Sequence, residues 1–178
     1  MNSSLLQHKR YSNLPFPPYA FIPGLHPHPQ RDPQGHSFGQ PEEKLAYLEP
    51  ARWQENGHYL FGVDLYNHGF WWESHEKWEA VWHTTDKSAI YGQYLQGLIQ
   101  ISAAFIKWHL HQHEGLKKLY EIGIERLEFV QKKSPTFMGL NLDEHIPKLK
   151  NHFQPVLTKP KSWPDLLQNY PFIELRGS

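Results

Sequence analysis

GFWWESHEKWEAVW, Gly69–Trp82, decides how this chain is read. It packs four tryptophans and three glutamates into fourteen residues, with His75 and Glu79 four positions apart. The spacing predicts a helix over 70–84. On a wheel of about 100° per residue, Glu79 falls about 40° from His75. Trp72 lies about 60° away on one flank, and Trp82, Trp71 and Trp78 lie about 20°, 40° and 60° away on the other. Glu73, Lys77 and Ala80 point towards the opposite side. Aromatic stripes face inward, so His75 and Glu79 are expected to be buried or at the floor of a cleft.

A buried carboxylate must have a partner. His75 is within reach of Glu79 at i−4, and the next helix offers more. There Gln93, Gln96, Gly97, Gln100, Ala104 and His111 share one face. If that face meets the tryptophan helix, the amides of Gln96 and Gln100 bond the His75–Glu79 pair. Trp72 and Trp82 then complete the lining of a pocket.

Working outward, residues 42–67 read as a weakly periodic helical segment interrupted at Pro50, and Gly69 reads as a turn. Thr85-Asp86-Lys87-Ser88 carries capping chemistry for a long helix over about 88–112. Leu116, Leu119, Tyr120, Gly123, Leu127 and Val130 mark another over about 115–132, and Ile146, Leu149 and Phe153 a shorter one over 143–153. No strand pairs or repeats stand out. Short links between long amphipathic helices predict an all-α antiparallel bundle of four to five helices. Its domain is expected over 42–155, with a C-terminal tail over 156–178.

The first 41 residues differ. Eight of the fifteen prolines lie between Tyr11 and Pro41, which excludes helix and central strand. Phe16, Tyr19, Phe21, Ile22 and Phe38 make the segment too aromatic for a linker. An extended proline-rich N-terminal arm, docked on the bundle, is expected over 1–41.

Composition narrows the function classes. A chain of 178 residues suffices for one domain with a proper core. Lys plus Arg balances Asp plus Glu at 18 each, so no field attracts nucleic acid or anionic lipid. Without cysteine there is neither a disulfide framework nor a thiolate site. No apolar run has the length of a membrane span, and no signal-peptide core is present. The expectation is a cytoplasmic protein with no nucleic-acid or membrane partner, and with a small molecule or a protein segment as the open alternatives.

Three readings of the polar pair stand side by side. It is a buried hydrogen-bonded network that sets helix register; or a divalent-metal site with His75 nitrogen and Glu79 oxygen as ligands; or a metal-free acid–base pair in a ligand pocket. Neither familiar metal motif fits. His-Glu-x-x-His would need histidine where Glu79 stands, and the di-iron pattern Glu-x-x-His would need an acid at Trp72.

The stretch His75–Trp82 matches the pattern His-x-x-x-Glu-x-x-Trp/Tyr. Flanked by "YNHGFWWESHE" and "YLQGLIQISAA", it resembles the uncharacterised helical family catalogued as domain-of-unknown-function 309, over roughly residues 57–130. The resemblance implies an all-α bundle and a motif that binds metal.

Other histidines invite the same question. His109, His111 and His113 fall at a helix end, where the dipole favours them, and a helix turns His111 away from the other two. His26, His28 and His36 lie in the arm, where packing is the expected role. Asp64, Asn67 and His68 are expected to cap the turn before the motif. Two functions follow. One is a protein with a divalent metal ion of open identity at His75 and Glu79, a metal-dependent hydrolase with Glu76 as catalytic base or further ligand. The other is a non-enzymatic helical binding or structural module in which His75–Glu79 is a buried pair.

Overall fold

The computed structural model describes residues 8–41, 43–159 and 161–177. Residues 1–7 of the expected arm, Glu42 of the expected bundle, and Pro160 and Ser178 of the expected tail lie outside these. Five α-helices follow a short 3-10 helix, Pro50–Glu55: α1 (Gly57–Asn67), α2 (Trp71–Trp82), α3 (Ile90–His109), α4 (His113–Gln131) and α5 (Leu142–Thr158). Each α-helix packs on the next, and the most extensive seam is α3 against α4. No helix among the described residues is long and apolar enough to cross a membrane.

The turn from α1 into α2 places the motif. Phe70 N–H donates to Leu65 O (2.9 Å) and Gly69 N–H to Tyr66 O (3.1 Å), while Gly69 holds φ of +81°. That left-handed helix terminus is the conformation glycine permits. A second close approach fixes α1 against α2. Trp78 Nε1 donates to Tyr59 O (3.2 Å) across Gly62, where a Cβ would stand 2.3 Å from that nitrogen.

The face α2 buries is Trp71, Ser74, Trp78 and Val81, with spacings of three and four residues. Ser74 Oγ lies 3.1 Å from Ser102 Oγ on α3, and Trp71 stacks on Phe105. The Gln face of α3 turns to α4 instead, because Gly97 is overlain by Leu127, and Gly123 by Ile101 and Gln100. Large fully buried rings (Trp78, Trp108, Tyr59, Tyr66, Tyr94, Phe105, Phe153) fill the centre. Each removes apolar surface worth about 25 cal/mol per Å².

Three local expectations are corrected. A two-stranded hairpin, β1 (Thr136–Phe137) and β2 (Leu140–Asn141), occurs where no strand was expected, turning through Met138 (φ +46°) and Gly139 (φ +79°). Two successive positive-φ residues suit the twist of a tight hairpin. The residue before α3 is Ala89, which has no side-chain cap; Asp86 closes its own turn by accepting from Ser88 N–H and Oγ–H. Helix α5 runs to Thr158 through Pro147 and Pro155, beyond the 143–153 expected.

Residues 8–41 contain turns but no helix or strand, and they reach α1 and α2 through two carboxylates. Asp64, fully buried, accepts from Tyr11 N–H (2.7 Å), Ser12 N–H (2.9 Å) and Ser12 Oγ–H (2.7 Å). Glu73 accepts from Phe21 N–H (2.8 Å), and its Oε1 lies 3.1 Å from His36 Nε2. Phe21 and Ile22 are buried and Phe16 stacks on Phe70, whereas Phe38 is half exposed rather than docked. The C-terminal segment is held likewise. Asn67 exchanges two hydrogen bonds of 2.8 Å with the backbone of Ile173, and Tyr170 O–H donates to Tyr66 O. Asp64 and Asn67 are therefore buried anchors for distant segments, not caps of a turn.

Candidate metal centre

Because α2 buries Trp71, Ser74, Trp78 and Val81, its next face carries His75, Glu76 and Glu79. This corrects the expected placement. His75 and Glu79 lie at the flank of the core stripe, half-buried, and no hydrogen bond joins them among the described residues. Small Ser74 sits where the stripe is centred, and the large rings of Trp72 and Trp82 are only half-buried. The aromatic count therefore pulled the reading off by about one residue, roughly 100°.

Flanking positions keep the side chains reachable from solvent. The His75 and Glu76 side chains are 25% and 29% exposed, with His75 Nδ1 3.4 Å from Glu76 Oε1. One nitrogen or oxygen from each of His75, Glu76 and Glu79 lies within 4.8 Å of the others, and this is the one such histidine–carboxylate group among the described residues. Ligand bonds of about 2.0–2.2 Å put two ligands of one ion no more than about 4.4 Å apart. The observed 4.8 Å lies about 0.4 Å beyond that span. Glu76 thus falls in one group with the two residues picked out by the motif.

The expected pocket lining disperses. Trp72 lies under the N-terminal segment, with Phe21 at 5.3 Å and His28 at 5.6 Å, both edge-on. Trp82 carries the Lys87 ammonium 4.2 Å above its ring. Gln96 and Gln100 make no hydrogen bond to His75 or Glu79; Gln100 packs beside Gly123 of α4, and its buried Oε1 has no partner among the described residues. A hollow of about 330 Å³, lined by Trp108, His152, Asp165 and Tyr170 among others, opens elsewhere, where α5 meets the C-terminal segment.

The remaining histidines do not converge on His75. His26 Nδ1 accepts from Ile22 N–H, and His28 Nδ1 from Gln30 and Arg31 N–H. His36 is engaged by Glu73 and Ser37. His111 stacks on Trp163 and His113 pairs with Glu114. Glu73, which the wheel turned away from the core, is buried because the N-terminal segment lies over it. Burial lifts its carboxyl above the ordinary pKa, while the Phe21 amide and His36 pull it down.

The family described as "Domain of unknown function (DUF309)" matches residues 59–119. The matched segment runs from Tyr59 in α1 to Leu119 in α4 and contains all of α2, with His75, Glu76 and Glu79, and all of α3. Searches of curated proteins and of solved structures found no match.

Proposed function

We propose that His75, Glu76 and Glu79 form the protein side of a divalent-cation site, and that the ion serves a hydrolytic reaction. The observation that carries this reading is the convergence of one imidazole and two carboxylates within 4.8 Å on one half-buried flank of α2. Two carboxylates so close repel unless a cation lies between them. A divalent ion matches their charge, and mixed nitrogen and oxygen donors suit zinc, iron or manganese. Three protein ligands leave positions for exogenous groups, the pattern of catalytic rather than structural sites. When bound, the ion supplies Lewis acidity towards substrate oxygens. Glu76 acts here as a ligand rather than as the base. Trp72, one turn before His75, with Phe21 and His28 against it, forms an apolar wall beside the donors.

Elemental mass spectrometry of purified protein tests this, with His75→Ala and Glu79→Gln alongside. The expected result is near-stoichiometric metal in the native chain, lost in both variants, whose metal-free stabilities stay within about 0.5 kcal/mol of native. No bound ion after incubation with zinc, manganese or iron(II) sinks the reading. With binding established, turnover of ester and phosphoester substrates, abolished in the same variants, is the expected sign of hydrolysis.

A further inference from the structure

The N-terminal segment approaches the three donors at one point. Gln30 Nε2 lies 3.4 Å from Glu76 Oε2. Its side chain is exposed, yet its backbone is held in place. Gln30 and Arg31 N–H both donate to His28 Nδ1, Asp32 N–H donates to His28 O, and Ser37 N–H donates to Pro29 O. Gly35 lets this loop close on itself: a Cβ there would stand 2.3 Å from the carbonyl oxygens of His28 and Pro29. Buried Pro29 and the His28 ring against Trp72 seat the loop on α2, one helical turn before His75.

We propose that Gln30 is the fourth protein ligand of the cation site, so that metal binding and docking of the 28–37 loop are coupled. This rests on the reading of His75, Glu76 and Glu79 as the metal seat. Without an ion, the Gln30 NH₂ group donates to Glu76. With an ion on Glu76, that donor would face a positive charge. Rotation of the terminal carboxamide by about 180° then presents Oε1, a hard oxygen donor, from the same position; the amide's two ends are nearly the same size. His28 is excluded from this role although it lies nearby. Its Nδ1 accepts two backbone N–H groups, which puts the proton on Nε2, the nitrogen a metal would need. The resulting set of one nitrogen and three oxygens comes from two parts of the chain. By linkage, the factor by which the seated loop strengthens metal binding equals the factor by which metal strengthens loop seating.

The test is calorimetric titration of the full chain with zinc chloride and with manganese chloride, beside hydrogen–deuterium exchange of the peptide spanning 28–38. Gln30→Ala is expected to weaken binding at least about tenfold, in the range seen when metal-site support is removed. Metal slows exchange in this peptide for the native chain and not for Gln30→Ala. Gln30→Glu supplies the opposite sign: tighter metal binding, with faster loop exchange in the metal-free protein because a third carboxylate joins Glu76 and Glu79. Equal affinity of Gln30→Ala and native, with loop exchange indifferent to metal, overturns the assignment while leaving the three-donor site intact. Failure of the native chain to bind either ion overturns the site itself, and the ligand role with it.

Discussion

Helix α2 carries two kinds of glutamate within two turns. Glu73 is buried, takes a backbone N–H from Phe21 and faces His36, whereas Glu76 and Glu79 stand half-exposed with no backbone donor among the described residues. All three belong to the same short, tryptophan-rich stretch, and composition does not separate them. What separates them is cover: the N-terminal segment lies over Glu73, bonding its Oε1 and leaving Oε2 buried without a hydrogen-bond partner among the described residues. A carboxylate that another segment buries is an element of the fold, like Asp64 on α1; one that stays within reach of solvent beside an imidazole is open to a ligand.

The sharpest break of this comparison is at Asp64. Asp64→Ala removes three hydrogen bonds and a charge facing Arg10 at 3.5 Å. The expected loss is about 3–5 kcal/mol, as when one partner of a buried charged set is removed. Urea unfolding monitored by tryptophan fluorescence measures it, and a loss under about 1 kcal/mol would show that the N-terminal segment is only loosely held. Next comes the direct contrast on α2. Glu73→Ala should cost about 1–3 kcal/mol, because Phe21 N–H and His36 are left without an acceptor. Glu79→Ala in metal-free protein should stay within about 0.5 kcal/mol. Equal effects would erase the distinction.

A buried titratable group extends the comparison. His145 on α5 is 3% exposed, and its Nε2 has no hydrogen-bond partner among the described residues. Burial, with a smaller push from Lys148, lowers its pKa from 6.5 to about 3. The unfolded chain therefore binds a proton at His145 below about pH 6.5 while the folded protein does not, so stability falls as the solution is acidified. Each pH unit in that window is worth up to about 1.4 kcal/mol, which integrates to about 1.6 kcal/mol between pH 6.5 and 5. His145→Leu should flatten this slope; a slope unchanged in that variant would place the acid sensitivity on another group.

Much of the bundle was legible because α2, α3 and α4 are long and periodic enough for local pattern to dominate. The hairpin was not, because strands of two residues carry no period and Met138 gives no hint of positive φ. In the site, His75 and Glu79 were legible from their i,i+4 spacing, which by itself puts them on one side of a helix. Their degree of burial was not, since Ser74 marks the centre of the stripe only through its contact with Ser102 on α3. The burial of Glu73 and the place of Gln30 depend on contacts spanning 52 and 46 residues, which no local periodicity encodes.

The bond between Asn67 and Ile173 has a consequence for biosynthesis. Ile173 follows Asn67 by 106 positions, so at about 5–20 residues per second the ribosome needs about 5–20 s to deliver the second after the first. Throughout that interval Asn67 has no partner at Ile173, and Tyr66 lacks the ring of Tyr170 that later packs on it at 5.4 Å. Closure of the core around Tyr66 and Asn67 is therefore a late event in the life of the nascent chain.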